Sequence, residues 1–556
     1  MMRMRRLLPL AYALALACGS APAATEVPPG TPDGGGNDDG GAPGTPEGGG
    51  NDDAGAEDQG SRTPYDRAVM KSTHNAYERD EPIFDQLVWH RIRSLEVDIH
   101  LEKGGTNAPA GAWFVYHEDQ PFFRDTSCTM LADCLGQLKA FHAAVPAHEV
   151  VTLWIDLKDG PTAGHGASDL DAAITKVLGR DAVFAPADLV ARCAGAKTLR
   201  EAVAPPCGFP ALGDLRGKFV VAVTGGTGCD GGGNVARYVG TTPNERLAFG
   251  APNIDAACDA AKYDERPGYV FVNMPYDERG RAGDARKRGL VARIYKGGLP
   301  GGLDSAPDFE GAKAAGAQHL ATDKVNAVED GFSTTQTARG YPFLCDDCGP
   351  PRIEASALVG MRAQSGDIYG KADSFWFAAE DDPGASVWSA FVAVPSSHVE
   401  ENAKACLMAR ASDAPGAPNV AVCRTFDVNP PVLQVRATAG ADTAETELAP
   451  LAGVSAESPA FLRLRLVPKG GGVDAVAEAS ADGSSWKEVG KASVGVPLPK
   501  RGLAVSSHGG PRVKAIFGNV VREREGSKVT HTTKSLPLAK AVGAAASGDA
   551  FDGAEP

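Results

Sequence analysis

Two carboxylates, Glu96 and Asp98, stand two residues apart in the apolar stretch from Ser94 to Leu101. If that stretch is a strand, both side chains leave the same face while Val97 points to the other. Two inward carboxylates repel, and a hard divalent cation relieves the repulsion. Ca²⁺ gathers carboxylate and amide oxygens, and Asn75 and Asp156 supply more of them from neighbouring apolar runs. The same pattern has another solution, an ordinary polar mouth in which Lys158 or an arginine neutralises the pair. Two histidines, His74 and His117, close the first and third apolar runs. Flanking a cation, they would divide proton transfer, one taking a proton from an attacking hydroxyl and the other giving one to the leaving oxygen. His90 and His100 lack comparable placement and read as structural or surface residues.

These groups need a scaffold that brings the ends of several strands together. Eight short runs rich in β-branched residues alternate with helix-like stretches: Arg67 to Ser72, Ser94 to Leu101, Trp113 to Tyr116, Val150 to Leu157, Lys218 to Thr224, Tyr269 to Asn273, Leu290 to Tyr295 and Gln318 to Thr322. The alternation predicts a (β/α)8 TIM barrel, whose reacting groups sit at the carboxyl ends of the strands. Helices are predicted over Leu170 to Leu178 and over Phe309 to Ala315, the second stopping at Gly316.

The motifs THNAY (Thr73 to Tyr77), LEVDIH (Leu95 to His100), YHE (Tyr116 to Glu118), TSCTMLADCL (Thr126 to Leu135), PAHEVVTLWIDLKD (Pro146 to Asp159), FPALGDLRGKFVVAV (Phe209 to Val223), the Arg293 strand and GAQHLATD (Gly316 to Asp323) occur in this order. Together they resemble the calcium-dependent phosphoinositide-specific phospholipase C family, especially its bacterial secreted branch, over almost the whole barrel. The resemblance implies that His74 and His117 are the catalytic histidines, that Asn75, Glu96 and Asp98 are calcium ligands, and that Lys158 and Arg293 lie near the phosphate or inositol. Asp156 stands where the family usually has glutamate, so this carboxylate is shorter by about one methylene. The implied reaction is attack by the inositol 2-hydroxyl on the adjacent phosphodiester of a membrane phospholipid, releasing diacylglycerol and a cyclic phosphate. Which histidine acts as base stays open. Glycerophosphodiester phosphodiesterases use a similar barrel, but their first histidine usually opens His-Arg-Gly, whereas this chain has His74-Asn75-Ala76. A catalytically idle barrel in a surface binding protein is the reading from a different class.

The chain has 556 residues, enough for two to four domains. Arg3, Arg5 and Arg6 precede an apolar run from Leu7 to Ala17, a secretory signal rather than a membrane span. Ala15-Leu16-Ala17-Cys18 looks like a bacterial lipobox, which implies lipidation at Cys18 and a place on the outer membrane or cell surface; cleavage after Ala24 would release a secreted protein. Residues 19–61 repeat GTPDGGGNDD and GTPEGGGNDD, an acidic Gly/Pro linker with no aliphatic core, spanning roughly 35 Å as a flexible coil. The barrel is expected over 62–350. A β-sandwich of jelly-roll type is expected over 372–525, where short strands alternate with turns, as in Phe461-Leu462-Arg463-Leu464-Arg465-Leu466-Val467. Segments such as FWFAA (Phe375 to Ala379) and RGLAVSSH (Arg501 to His508) resemble concanavalin-like accessory domains, and Trp376, Trp388 and Trp486 are candidates to stack on a carbohydrate or to pack in the core. Residues 526–556 read as a flexible tail.

Net charge is −15, and no long Lys/Arg block is present to neutralise a nucleic-acid backbone. Without Cys18 ten cysteines remain, an even number that in an exported chain reads as disulfides, with Cys406 and Cys423 candidates to pair inside the sandwich. Cys345 and Cys348 form a C-x-x-C with no second pair at zinc-ligand spacing. Gly226 to Gly231 fits G-x-G-x-x-G but opens no helix, so it reads as a mouth loop, and no G-x-S-x-G elbow occurs.

Overall fold

The computed structural model describes residues 62–118, 127–226, 233–254, 266–297, 302–325, 358–394, 400–426 except 401, 431–448, 460–531 except 482, 535–536, 539–543 and 547–552. The signal segment, Cys18, the linker, Cys229, Cys258, Cys345, Cys348 and most of the glycine loop after Gly226 lie outside them. Among the described residues, no helix is long and apolar enough to cross a membrane.

Eight parallel strands surround one interior: β1 (Met70–Thr73), β2 (Ser94–His100), β3 (Val151–Leu157), β4 (Phe219–Thr224), β5 (Phe249–Gly250), β6 (Phe271–Pro275), β7 (Val291–Tyr295) and β8 (His319–Thr322). Each hydrogen-bonds to its chain neighbour from β1 to β5 and from β6 to β8, and β1 pairs with β8. Parallel bridges Gly250↔Tyr269 and Asn253↔Asn273 nearly close the ring between β5 and β6. Two details differ from the sequence reading. The run Trp113 to Tyr116 is not a barrel strand: Phe114–Val115 folds back antiparallel onto the end of β2, pairing Ile99 with Val115 and His100 with Phe114. The fifth strand is the unpredicted Phe249–Gly250, too short for any periodicity to mark. A β-carbon at Gly250 would fall 2.5 Å from Val239 and 2.8 Å from Tyr269, so close packing demands glycine where a strand would otherwise carry a branched side chain.

Local chemistry sets the helices. Asp169 accepts from the Gly166 amide at 2.8 Å to open Ala167–Leu178; Leu170, Ile174 and Leu178 then bury one face, and Gly179 at φ 84 ends it. Ala306–Ala314 starts at Ser305, whose hydroxyl accepts from the Asp308 amide at 3.3 Å. Inside the barrel a chain of polar groups is satisfied internally. Tyr65 Oη lies 2.7 Å from Thr152 Oγ1 and 3.3 Å from His319 Nε2, while His319 Nδ1 meets Ser94 Oγ at 2.9 Å and Ser94 donates to Ser72 at 2.8 Å. Disulfides join Cys128 to Cys134, Cys193 to Cys207 and Cys406 to Cys423.

After the barrel come an eight-stranded and a seven-stranded antiparallel sheet, whose facing side chains, among them Trp388, Leu407, Leu464 and Phe517, share one core. In Ala460–Lys469 the predicted alternation holds: Leu462, Leu464 and Leu466 are buried, while Arg463 and Arg465 reach Glu478 at 2.6 and 2.9 Å. The sandwich begins earlier than expected, with Leu358–Gln364 inside the larger sheet. The segment read as a flexible tail also contains strands: Ser527–His531 pairs with Val513–Arg524, Lys540–Val542 with Phe375–Asp381, and Ser547–Asp552 with Leu358–Gln364. Its small and polar residues show no alternation, yet backbone bonding to an existing sheet edge does not require any. Phe391, Phe461 and Ile516 on the larger sheet join the barrel's own core, with Phe84 and Phe391 centred 5.0 Å apart.

Two buried histidines tie this packing to pH. His148 donates through Nδ1 to the Glu149 carbonyl at 2.6 Å and lies 3.1 Å from His142 through Nε2; burial lowers its pKa to about 3, as it does for His319. Both values fall below the ordinary 6.5, so their stabilising share is full above pH 6.5 and is lost as the unfolded chain protonates below it. Unfolding free energy from denaturant titration should therefore drop by about 2 kcal/mol per histidine between pH 7 and pH 5. His148→Gln, whatever its cost at pH 7, should show a drop smaller by one such share.

Candidate functional site

The site lies at the carboxyl ends of β1, β2, β3, β7 and β8. On β2, Glu96 and Asp98 both face the barrel interior while Val97 is buried behind them, as the two-residue spacing predicts. Parallel register sets Asp98 directly beside Asp156 on β3. Carboxylate oxygens of Glu96, Asp98 and Asp156 all lie within 4.8 Å of one another. The short Asp156 side chain is approached closely by Gly225 after β4, where a β-carbon would fall 2.5 Å from its Oδ1. Gly225 also sits at φ 113, so this corner needs glycine for both space and backbone.

Asn75 follows β1 in the left-handed region, φ 49, a conformation asparagine tolerates better than most residues. That turn aims its backbone amide at Glu96, 3.2 Å away, and brings its side-chain nitrogen to 3.2 Å from Glu78 and 3.4 Å from His117. The three carboxylates thus converge on one mouth, and Asn75 meets them there through its backbone amide and side-chain nitrogen.

Both histidines are held at Nδ1 by a carboxylate. His74 meets Asp323 at 3.0 Å, and Arg79 meets the same oxygen at 3.0 Å; His117 meets Asp98 at 3.0 Å. Burial disfavours a charged His74, but the bond to Asp323 and the nearby Glu96 outweigh it, so its pKa is raised. For His117 the bond to Asp98 is the largest influence and also raises the pKa, against partial burial. Because His117 follows the antiparallel ribbon rather than a barrel strand, it reaches the mouth by folding back over β2. Asp323, one residue past β8, was not singled out in the sequence; a carboxylate directly after an apolar barrel strand was the available signal. His90 and His100 stay apart from the site, and His100 stacks on Tyr116 with centroids 3.8 Å apart.

The cations sit on the carboxylates. Lys158 Nζ lies 3.0 Å from Asp98 and 2.6 Å from Asp156, and Arg293 bonds Glu96 through one nitrogen and Asn273 through the other at 2.9 Å. Arg293 is wholly buried, so the residue expected at a substrate phosphate instead braces Glu96 from beneath, whereas Lys158 keeps 29% of its side chain exposed. Burial and the neighbouring Asp98 push the Asp156 carboxyl up to about 6 despite Lys158. Burial opposes ionisation of Asp98 too, but His117 and Lys158 hold it below the usual range.

Whether these residues fit a cation can be judged from what they leave unmet. Asp98 Oδ1 is buried and unpaired by hydrogen-bond geometry, although Oδ2 carries both His117 and Lys158; the buried Tyr77 hydroxyl, whose ionisation the Asp98 charge opposes, lies beside this carboxylate. Three carboxylates face the two fixed cations Lys158 and Arg293, and every donor is oxygen. The set fits a hard divalent ion.

No family model matches the chain, and no curated protein does. Solved structures do. A calcium-dependent phosphoinositol-specific phospholipase C from the Gram-negative bacterium Pseudomonas sp is similar at 20% identity and TM-score 0.43, over 52% of this chain and 97% of that one. A Ca²⁺-dependent phosphatidylinositol-specific phospholipase C from Streptomyces antibioticus is similar at 23% identity and TM-score 0.39, over 49% of this chain and 98% of that one. Sheep galectin-11 is similar at 12% identity and TM-score 0.17, over 32% of this chain and 98% of that one.

The three tryptophans considered as sugar platforms are all packed. Trp388 is buried, bonded to Asp382 at 3.0 Å and stacked on His531; Trp486 lies under Arg463 at 4.1 Å; Trp376 is half-buried.

Removing the ammonium from between Asp98 and Asp156 should expose the latent charge demand of the mouth. Lys158→Met should be less stable than wild type in chelator, by on the order of 2 kcal/mol, and so should melt at a lower temperature. Millimolar Ca²⁺ should recover most of that loss in Lys158→Met and none of it in Lys158→Met combined with Asp98→Asn, as read by thermal melts.

Proposed function

We propose that the chain is a phosphodiesterase of the phospholipase C type, acting on inositol phospholipids with a calcium ion in the barrel mouth. The observation that carries this reading is the pair of imidazoles, each fixed at Nδ1 by a carboxylate, flanking three carboxylates on adjacent strand ends. Engaging Nδ1 leaves proton exchange to Nε2 on each ring, so Asp323 and Asp98 set both the orientation and the reactive nitrogen. The carboxylates that raise both pKa values make each imidazole a better proton acceptor, so one ring can take the proton of the attacking hydroxyl while the other, protonated, gives one to the leaving oxygen.

Asn75, Glu96, Asp98 and Asp156 would hold the ion. When bound, it would supply positive charge against the phosphate and ease ionisation of the attacking hydroxyl. Lys158 is the cation of the mouth with exposed surface, and it serves as the phosphate partner; Arg293 holds the Glu96 carboxylate in place. With the nucleophile inside the substrate as the inositol 2-hydroxyl, binding the ring in one orientation supplies much of the rate. The products are diacylglycerol and cyclic inositol phosphate. Export, with lipidation at Cys18 and a long spacer, would hold the barrel close to a membrane.

A second reading draws on the contact of Lys158 with Asp98 and Asp156. There the ammonium itself is the neutralising cation, and the diesterase works without metal. The two readings part on a chelator.

Purified protein should release cyclic inositol phosphate from phosphatidylinositol vesicles with Ca²⁺ present, and chelator should abolish the reaction. His74→Ala and His117→Ala should each cost about 10²- to 10⁴-fold in kcat, and Asp323→Asn on the order of 10²-fold with KM little changed. Activity that persists in chelator would transfer the conclusion to the lysine-neutralised site. Glycerol phosphate released from glycerophosphoinositol, with no cleavage of the lipid, would make the chain a glycerophosphodiester phosphodiesterase.

A further inference from the structure

The opposite end of the barrel, where the strands begin, holds a cavity of about 360 Å³ that the proposed chemistry does not use. Its walls come from the segment before β1, the helix Leu199–Val203 with the loop after it, and the turn that leads into β7. Five cations line it, Arg67, Arg200, Arg286, Lys287 and Arg288, against one carboxylate, Asp66. That carboxylate lies 3.6 Å from Arg67 and also feels the charge of Arg286, one acid shared among several bases, and burial raises its pKa. Lys287 has its own exposed partner, Asp284, at 3.2 Å.

Crowding is evident at two of the arginines. Burial, with Arg288 beside it, lowers the pKa of Arg200, and Arg286 keeps a buried Nε that makes no hydrogen bond. Guanidinium groups gathered around one cavity raise its positive potential and draw anions to it. Guanidinium forks match phosphate oxygens in pairs. The wall is also anchored, because Cys207 in its lining is tied to Cys193 by a disulfide. The volume suits a small ligand rather than a macromolecule.

We propose that this cavity is a second, non-catalytic binding site for a small phosphate-bearing anion of high charge, such as a diphosphate or a phosphomonoester. The anion would enter from solution or as the head of an anionic lipid; the chemistry recognised is the same.

Titration of the full chain with pyrophosphate by calorimetry, and co-sedimentation with phosphatidate vesicles, separate these sources. Pyrophosphate should bind and raise the melting temperature. Affinity should fall at least tenfold in Arg200→Gln and in Arg286→Gln and severalfold in Arg67→Gln and Lys287→Gln, whose exposed side chains can change without loss of the fold. Lys158→Met should bind as wild type does. Vesicle binding that follows the same variants and is displaced by pyrophosphate would assign the lipid head; pyrophosphate binding without vesicle binding would assign a soluble anion. Failure of both ligands to bind, or binding that survives Arg67→Gln and Lys287→Gln but is lost with Lys158→Met, would overturn the proposal.

Discussion

Asp98 and Asp156 lie side by side on neighbouring parallel strands, and the mouth of the barrel is organised around the cost of holding them there. A buried and a half-buried carboxylate set side by side resist ionising together without nearby positive charge. Lys158 reaches both, His117 bonds one oxygen of Asp98, and Arg293 takes up the third carboxylate, Glu96. Even so the demand is incompletely met: one oxygen of Asp98 has no bond, and Asp156 is left with a pKa near 6. The same carboxylates raise the pKa of both histidines.

The field and the scaffold are linked through backbone positions at the mouth itself. Gly225 leaves room for Asp156, and Asn75 accepts a left-handed turn that points its amide at Glu96. Asp304 accepts from the amide of Asp323 and from Thr322 at 2.7 Å each, which fixes the carboxylate that in turn fixes His74. Each reactive group is therefore positioned by a second group that is itself bonded, and such support is what keeps reacting atoms in register.

The sandwich contributes rigidity rather than any chemistry visible among the described residues. Its larger sheet shares apolar contacts with the barrel, and its tryptophans are used in packing. Both ends of the barrel are polar for different reasons. The mouth concentrates carboxylates over two cations, whereas the base concentrates arginines over one carboxylate.

Much of the barrel was legible in the chain because apolar runs of four to eight residues repeat between helical stretches, and a period of two places Glu96 and Asp98 on one face whatever surrounds them. The polar types at strand ends named the histidines, the asparagine and the carboxylates. What the chain could not convey was pairing. A two-residue strand such as Phe249–Gly250 has no period, a returning ribbon at Phe114–Val115 has the same composition as a barrel strand, and the last strands of the sandwich rest on backbone hydrogen bonds that leave no mark on side chains. The same limit governed the site: residue types declared which groups could hold charge or move protons, but register and burial decided that Asp98 meets Asp156, that Arg293 serves Glu96, and that Asp323 holds His74. Those outcomes depend on distances between segments up to about 250 positions apart, and only the closed barrel sets such distances.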